Sequence, residues 1–485
     1  MIPFVDTIGL LAGVFLLTLL AQHLRLALRA RGYRPPPQVD EVLLGTCFDA
    51  ESATNPSPTA GKVASRSDDG RGRVAQPSLF RDSSRHSPPP DLAALGHPPR
   101  SRGGIAAPFS AAVAPHDALP AILLQIPLYN EAASVEGALA CALALDWPAD
   151  KLTIQLLDDS TDETSALAAA ALARLPPGGP EVQHIRRANR HGFKAGALAE
   201  GLQCSEAPLI AILDADFRAP ADWLKQAAAA LAADENAAFA QFRFEFANRD
   251  LNWMTRGQQL SVDAHFLAEQ AGRQAGGEPF QFNGTGAVWR RAAIEAAGGW
   301  SPDTQAEDLD LTFRAYAAGW HGLLLLDPPL ACEAPADLAS WRAQQARWST
   351  GFVQVAGKAL PLVWRSDWRL SARLGSSLLL GLQLGLPAFL VAAAAFILDV
   401  LVRGFGPVHG TILCLVALIV AGAAVAITLP PFRRLRRGGI IRYGAVLVMI
   451  PVLLGFMALA NSASVVIAPF KRRHDFVRTP KTGDR

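Results

Sequence analysis

Cysteine is sparse and scattered along the chain. The five cysteines, Cys47, Cys141, Cys204, Cys332 and Cys414, form no C-x-x-C pair and no Cys/His cluster. This argues against a zinc site or a disulfide framework and fits free thiols in a reducing compartment. Charge is scarce too. Only 18% of residues are charged and the formal net charge is +2, so the overall charge does not point to nucleic acid as a partner. Neither a G-x-x-x-x-G-K-[ST] phosphate loop nor a G-x-S-x-G nucleophile elbow occurs. Phe282-Asn283-Gly284-Thr285-Gly286 superficially suggests a dinucleotide loop. It lacks a third glycine at the required spacing and an acid closing a following strand. What the chain has in quantity is apolar surface: 50% of its 485 residues are hydrophobic and the mean hydropathy is +0.19, high for a soluble protein.

The apolar residues are unevenly distributed, and five regions follow. Residues 1–34 contain the run Ile8–Ala21, followed by His23, Arg25, Arg29, Arg31 and Arg34. A secretory signal carries its charge before the apolar run, so the reversed order reads as a membrane anchor with its C-terminal end in the cytosol. The run is short and borrows Leu24, Leu26 and Leu28 to span. Residues 35–118 collapse into Pro, Ser, Gly, Arg and Ala, with Pro35-Pro36-Pro37 and Pro88-Pro89-Pro90. Too little apolar surface is present there to offset ordering entropy, so a disordered linker is expected, with a basic arm on anionic lipid as the alternative. Residues 119–357 alternate strand candidates (Ala121–Ile126, Leu152–Leu157, Leu209–Leu213, Ala238–Phe244) with alanine-rich helices (Ala132–Ala144, Glu163–Arg174, Ala221–Ala232). Such alternation predicts an α/β fold with a mostly parallel, Rossmann-like sheet. Ligands of such sheets bind beyond the C-terminal strand ends. Residues 358–470 contain the long apolar stretches Ser376–Val402, Gly410–Leu429 and Ile440–Ala468, read as interfacial and transmembrane helices. Residues 471–485 form a basic tail whose Lys471-Arg472-Arg473 favours the cytosol.

Acidic motifs fall at the predicted strand ends. Asp158-Asp159-Ser160-Thr161-Asp162-Glu163 follows one strand. Paired carboxylates there can accept hydrogen bonds from a nucleobase edge and ribose hydroxyls, while Ser160 and Glu163 also fit a helix capping box. Asp214-Ala215-Asp216 follows another strand, and two carboxylates at i and i+2 can hold Mg²⁺ or Mn²⁺ that also grips a diphosphate. In His191-Gly192-Phe193-Lys194-Ala195-Gly196, the glycines permit close backbone approach and Lys194 can reach a phosphate or ribose. Glu307-Asp308 precedes the expected helix Leu309–Ala318. A carboxylate there can deprotonate an acceptor hydroxyl, or serve only as a helix-start pair favoured by the dipole. Gln344-Gln345-Ala346-Arg347-Trp348 offers a guanidinium fork for phosphate and a flat face for a sugar.

Gln125-Ile126-Pro127-Leu128-Tyr129-Asn130-Glu131, LDDSTD, KAGAL, DADF, FNGTG, AED and QQARW occur in that order. Together they resemble the processive glycosyltransferases of family two, the cellulose-synthase-like group. The likeness is greatest to mannan/glucomannan and xyloglucan-backbone glucan synthases and their bacterial relatives, dense from Leu119 to Gly357. The resemblance implies a GT-A type domain flanked by transmembrane helices, with Mg²⁺ or Mn²⁺ as cofactor. It implies that Tyr129, Glu131, Asp158, Asp159, Lys194 and Asp214 bind the nucleotide sugar, with Asp158 on the base and Lys194 on the diphosphate side. Asp214 and Asp216 would hold the metal, Asp216 more directly. Asp308 would be the catalytic base, with Glu307, Gln344, Arg347 and Trp348 at the acceptor and diphosphate end. The family pattern Thr-Glu-Asp stands here as Ala306-Glu307-Asp308, which leaves the carboxylate intact. Phe476-Val477-Arg478-Thr479-Pro480-Lys481 resembles a cytosolic gating loop, with Phe476, Thr479 and Lys481 at the matching positions. A cytosolic tail requires an even number of crossings, whereas three stretches are counted; either Ile440–Ala468 bends at Pro451 or one stretch lies in the interface.

The expected activity is inverting transfer of a hexose from GDP-mannose or UDP-glucose to a growing β-linked polysaccharide. A glycolipid synthase acting on a ceramide or diacylglycerol type lipid is the alternative, and a non-catalytic membrane assembly protein the minor one. Expected partners are the nucleotide-sugar donor, a glycan or lipid acceptor and the bilayer, with no nucleic acid; no residue identifies an accessory subunit. The resemblance to bacterial relatives places the chain in a bacterial inner membrane with the catalytic domain cytosolic.

Overall fold

The computed structural model describes residues 2–36, 116, 119–414, 416 and 455–470. The gating-loop residues Phe476, Thr479 and Lys481 therefore lie outside the described residues, as do most of the linker and most of Gly410–Leu429.

Seven strands form one sheet in the order β3-β2-β1-β4-β6-β5-β7. They are β1 (Ile122–Leu128), β2 (Leu152–Asp158), β3 (Glu181–Arg186), β4 (Leu209–Ile212), β5 (Ala237–Phe246), β6 (Ala287–Arg290) and β7 (His321–Cys332). β1 pairs in parallel with β2 and β4, β2 with β3, and β5 with β7; β6 alone runs antiparallel, between β4 and β5. The sheet is thus mostly parallel, as the strand–helix alternation predicts. Three strands carry no strong sequence signal. β3 is a part-exposed edge strand, β6 has four residues, and β7 contains Asp327-Pro328-Pro329.

The sheet is buried on both faces. Along β1, Ile122, Leu124, Ile126 and Leu128 enter one core with Trp223 and Phe242, and Leu123 enters the other with Leu198, Phe239 and Trp289. This period of two is what a parallel strand covered on both sides requires. The helices that cover it include α2 (Val135–Leu143), α3 (Thr164–Leu172), α4 (Phe193–Gln203) and α5 (Trp223–Ala232). After β5 come α6 (Trp253–Ala264), a π-helical turn (His265–Gln270) and α7 (Ala271–Ala275). α8 (Arg291–Ala296) follows β6, and α9 (Glu307–Ala317) begins two residues earlier than expected, so Glu307 and Asp308 belong to its first turn. The capping box expected of Ser160 and Glu163 does not form. Ser160 Oγ accepts from the Asn130 amide, and Asp162 accepts from the Thr164 amide at the start of α3.

Apolar helices flank this domain. α1 (Ile2–Arg29) opens the chain; after the sheet come α10 (Leu338–Arg365), α11 (Leu370–Leu380) and α12 (Gly385–Arg403). Ala12–Gly32 and Leu382–Arg403 are long and apolar enough to cross a membrane, by length and composition. Leu19 of α1 packs on Gly385 at the start of α12. One expectation needs correction. The stretch Ser376–Val402 is not one span: α11 ends at Leu380, and a short 3₁₀ turn, Leu382–Leu384, separates it from α12. Leu26 falls within the apolar segment Ala12–Gly32. It is 1% exposed and packs its backbone against Gly272 of α7, whereas Leu24 and Leu28 are exposed.

Candidate active site

The chemistry gathers at the C-terminal ends of β1, β2 and β4, where the loop 282–286 and the start of α9 join them. Lys194 lies in the first turn of α4, which Gly192 enters with φ +73. Its ammonium donates to Asp214 Oδ1 at 2.5 Å and to the carbonyl of Gly284 at 2.8 Å. Asp214 follows β4 and is anchored through its own amide, which donates to the Thr285 hydroxyl at 2.8 Å. Gly284 has φ +78, and a Cβ there would sit 3.0 Å from Asp308 Oδ2. One glycine therefore touches the lysine through its carbonyl and the Asp308 carboxylate through its Cα face.

These contacts shift proton affinities in one connected way. Burial raises the Asp308 carboxyl, the neighbouring Glu307 raises it further, and it reaches about 7 despite the Leu309 amide and Lys194 pulling it down. Burial also raises Glu307, against the pull of Lys194 and Arg347. Burial alone would depress Lys194, but Asp214, Glu307 and Asp308 outweigh it and hold the ammonium above its ordinary range. Arg347 on α10 is lowered by burial and pulled upward by Glu307, Asp214 and Asp308. At an effective dielectric near 20, unit charges about 4 Å apart interact by roughly 4 kcal/mol. Three carboxylates can share this pocket because two cations share it with them.

α10 reaches the pocket by packing on the segment before α9. A Cβ on Gly351 would meet Ala306, and Gln354 accepts from the Gln305 amide at 3.0 Å. Gln344 and Arg347 are partly buried on that helix, whereas Trp348 is 47% exposed. The structure thus brings Lys194, Asp214, Glu307, Asp308 and Arg347 into one electrostatic cluster.

The Asp158-Asp159 pair is differently placed from what a base-facing pair suggests. The Asp158 side chain is fully enclosed. It accepts from the Ser160 amide, the Ser165 hydroxyl and His184, and these bonds overcome burial to hold its pKa below the ordinary value. A ligand contact from Asp158 requires one of these partners to yield. Asp159 is gripped by Arg187 through both carboxylate oxygens. Arg190 lies 3.8 Å from the same carboxylate and places its guanidinium 3.2 Å above the ring of Tyr129. Glu131 begins the turn into α2, its carbonyl accepting from the amides of Ser134 and Val135. Arg187, Arg190, Thr285 and Gly284 are absent from the expected site. The run Arg186-Arg187-Ala188-Asn189-Arg190 ahead of Lys194 was the available signal for the first two.

Asp214 and Asp216 are both partly buried at the β4 end. No group of three or more His, Cys, Asp or Glu side chains able to hold a metal ion occurs among the described residues. Two hard carboxylates still fit a divalent ion of the Mg²⁺ type, which is bound by one or two carboxylates and completes its shell with water and substrate phosphates.

The model of the glycosyl transferase family group 2 matches residues 209–457. Glucomannan 4-beta-mannosyltransferase 2 of Arabidopsis thaliana is 41% identical over 236 residues, 48% of this chain and 44% of that protein. The probable glucomannan 4-beta-mannosyltransferase 10 of the same plant is 40% identical over 240 residues, covering 49% and 44%. Glucomannan 4-beta-mannosyltransferase 1 of Oryza sativa subsp. japonica is 38% identical over 253 residues, covering 51% and 49%. The matched segment spans under half the length of each of these relatives. A mannosyltransferase from Pyrobaculum calidifontis, solved with GDP-Man and Mn²⁺, aligns over 72% of this chain and 87% of its own at TM-score 0.48 and 21% identity.

Two outcomes follow from this geometry. Gly284→Ala forces a left-handed residue to carry a side chain against Asp308 and is expected to lower turnover by about tenfold or more; unchanged turnover would mean that the contact does not matter. A carboxylate acting as base must be ionised, so with Asp308 at about 7 kcat/KM rises as pH increases through that value. A flat profile over roughly pH 5 to 8 would mean that Asp308 is not the base.

Proposed function

Because the chain belongs to glycosyl transferase family group 2, we propose that it is an inverting hexosyltransferase that uses a nucleotide-sugar donor and builds a β-linked polysaccharide. The observation that carries this reading is the position of Gly284 between Lys194–Asp214 on one side and Asp308 on the other. A diphosphate needs cations and metal-ligating carboxylates, and an acceptor hydroxyl needs a base with pKa near the working pH. Here both sets meet at one residue.

In the proposed reaction Lys194 and Arg347 face the donor diphosphate, and Lys194 leaves part of its hold on Asp214 to do so. Asp214 and Asp216 would hold Mg²⁺ or Mn²⁺, which supplies charge neutralisation on the departing nucleoside diphosphate. Tyr129, Glu131 and Asp159, with Arg187 and Arg190, shape the nucleotide end, and Asp158 underlies it. Glu307 raises the proton affinity of its neighbour, so Asp308 can take the proton of the acceptor hydroxyl as that oxygen attacks the anomeric carbon. The glycosidic oxygen–carbon bond forms as the carbon–phosphate-oxygen bond breaks, with inversion, so an α-linked donor yields a β-linked product. Gln344 and Trp348 would border the acceptor. The relatives named as glucomannan mannosyltransferases favour a mannose donor and a polymeric product, and the two long apolar helices favour synthesis at a bilayer.

Radiolabelled GDP-mannose and UDP-glucose offered to membranes carrying the protein, with product sizing, test this reading. Transfer into large product from one donor, abolished by chelation of divalent metal, is expected. Asp308→Asn is expected to bind donor normally and to lose transfer by roughly 100-fold or more. Full activity in that variant would remove Asp308 as base, and a lipid-sized product would replace the polymer reading with the glycolipid one.

A further inference from the structure

The N-terminal helix is joined to the catalytic domain through a buried carboxylate. Glu278 is 2% exposed. Arg25 of α1 reaches both of its oxygens, at 2.7 and 2.9 Å, and Arg29 reaches one at 2.5 Å. Arg273 of α7 stands 4.0 Å away and also donates to the carbonyl of Gly375 in α11. A Cβ on Gly375 would collide with the Glu278 carboxylate, so α11 closes over the same ion cluster. The arginines that read as simple membrane-flanking charges are therefore committed to one partner some 250 residues away, and Leu26 between them is sealed against Gly272.

Glu278 also opens the segment that ends in the active site. Residues 279–284 run back along the π-helical turn and α7, and three side chains of those helices pin them. Arg273 donates to the Pro279 carbonyl at 3.5 Å, Gln270 to the Gln281 carbonyl at 3.1 Å, and the His265 ring bonds Asn283 Oδ1 at 2.9 Å. The π turn has a direct role here. Residues i and i+5 stack in a π turn where an α-helix sets them apart, so His265 and Gln270 can grip the same strip of chain. His265 also bonds Glu269 at 3.1 Å, and Arg273 is ion-paired with Glu269. Burial would raise the Glu269 carboxyl, but His265, Arg273 and His23 of α1 hold it well below the ordinary carboxylate range. The strip ends at Gly284, against Asp308.

We propose that Arg25, Arg29 and Glu278 are positioning residues for transfer: the ion cluster fixes the N-terminal membrane helix to the start of the 278–284 strip and so sets where Gly284 meets Asp308. This rests on the transferase reading above. None of the three touches the donor pocket. Loosening the cluster therefore displaces Gly284, and with it the contacts to Asp308 and Lys194, while leaving the nucleoside end, built on β1 and β2, in place. The coupling makes the first helix part of the catalytic apparatus rather than a tether for it.

The test uses the full chain in lipid nanodiscs, with transfer measured from whichever nucleotide sugar the wild type uses and binding measured with the matching nucleoside monophosphate. Glu278→Gln is expected to lower kcat by about tenfold with Kd unchanged within about twofold. If Glu278→Gln does not fold, Arg25→Lys with Arg29→Lys carries the test, since it keeps the charges and loses the two-pronged geometry; kcat falls and Kd holds. An unchanged kcat in the folded variants overturns the proposal. A parallel loss of kcat and nucleotide binding overturns it too, because the cluster then supports the whole domain. Wild-type protein that transfers from no nucleotide sugar would instead remove the transferase reading.

Discussion

The Lys194 ammonium is the constraint around which the site is arranged. It ties Asp214 to the Gly284 carbonyl, and through that glycine it fixes the strip on which Asp308 rests. Without a cation between them, Asp214, Glu307 and Asp308 would repel one another in a partly desolvated pocket, and at least one would be protonated at neutral pH. With it, the pocket keeps its carboxylates close and leaves Asp308 poised near neutrality. The rest of the fold serves this arrangement. The parallel strands deliver Asp214 and the Asp158-Asp159 turn to one rim, and α10 closes it by leaning Gly351 on Ala306.

The same positions explain how much could be read without coordinates. The runs Leu152–Leu157 and Leu209–Leu213 announce themselves because strands buried on both faces are continuously apolar. The carboxylates just beyond them are legible for that reason. β3, with its alternating polar residues at the sheet edge, and β7, interrupted by Pro328 and Pro329, give no such signal. The roles of Arg187 and Arg190 depend on which way a loop folds back. The enclosure of Asp158 depends on Ser165 and His184, which lie seven and 26 residues away. Neither can be obtained from spacing. Glycines were visible as permissive positions, but that Gly284 and not its neighbours must lack a side chain follows only from the approach of Asp308.

The apolar flanking helices are where local reading of the sequence was most incomplete. Hydropathy marks α1 and α12 correctly as apolar helices, yet it treats Arg25 and Arg29 as charges bound for a headgroup region. Their actual partner is a buried glutamate distant in sequence, and a buried carboxylate of that kind is stable only with such partners. Sequence separation hides the ion cluster, which joins helix and domain together with the packing of Leu26 on Gly272.

The central claim is that Lys194, Glu307 and Asp308 feel one another in a common pocket. The most direct measurement is the midpoint of the acidic limb of kcat/KM against pH in two variants. Lys194→Met removes a cation that lowers the Asp308 pKa, and Glu307→Gln removes a charge that raises it. The account predicts that the midpoint moves up in the first and down in the second. A midpoint that stays fixed in both would mean that the base is elsewhere and that these groups do not share a site.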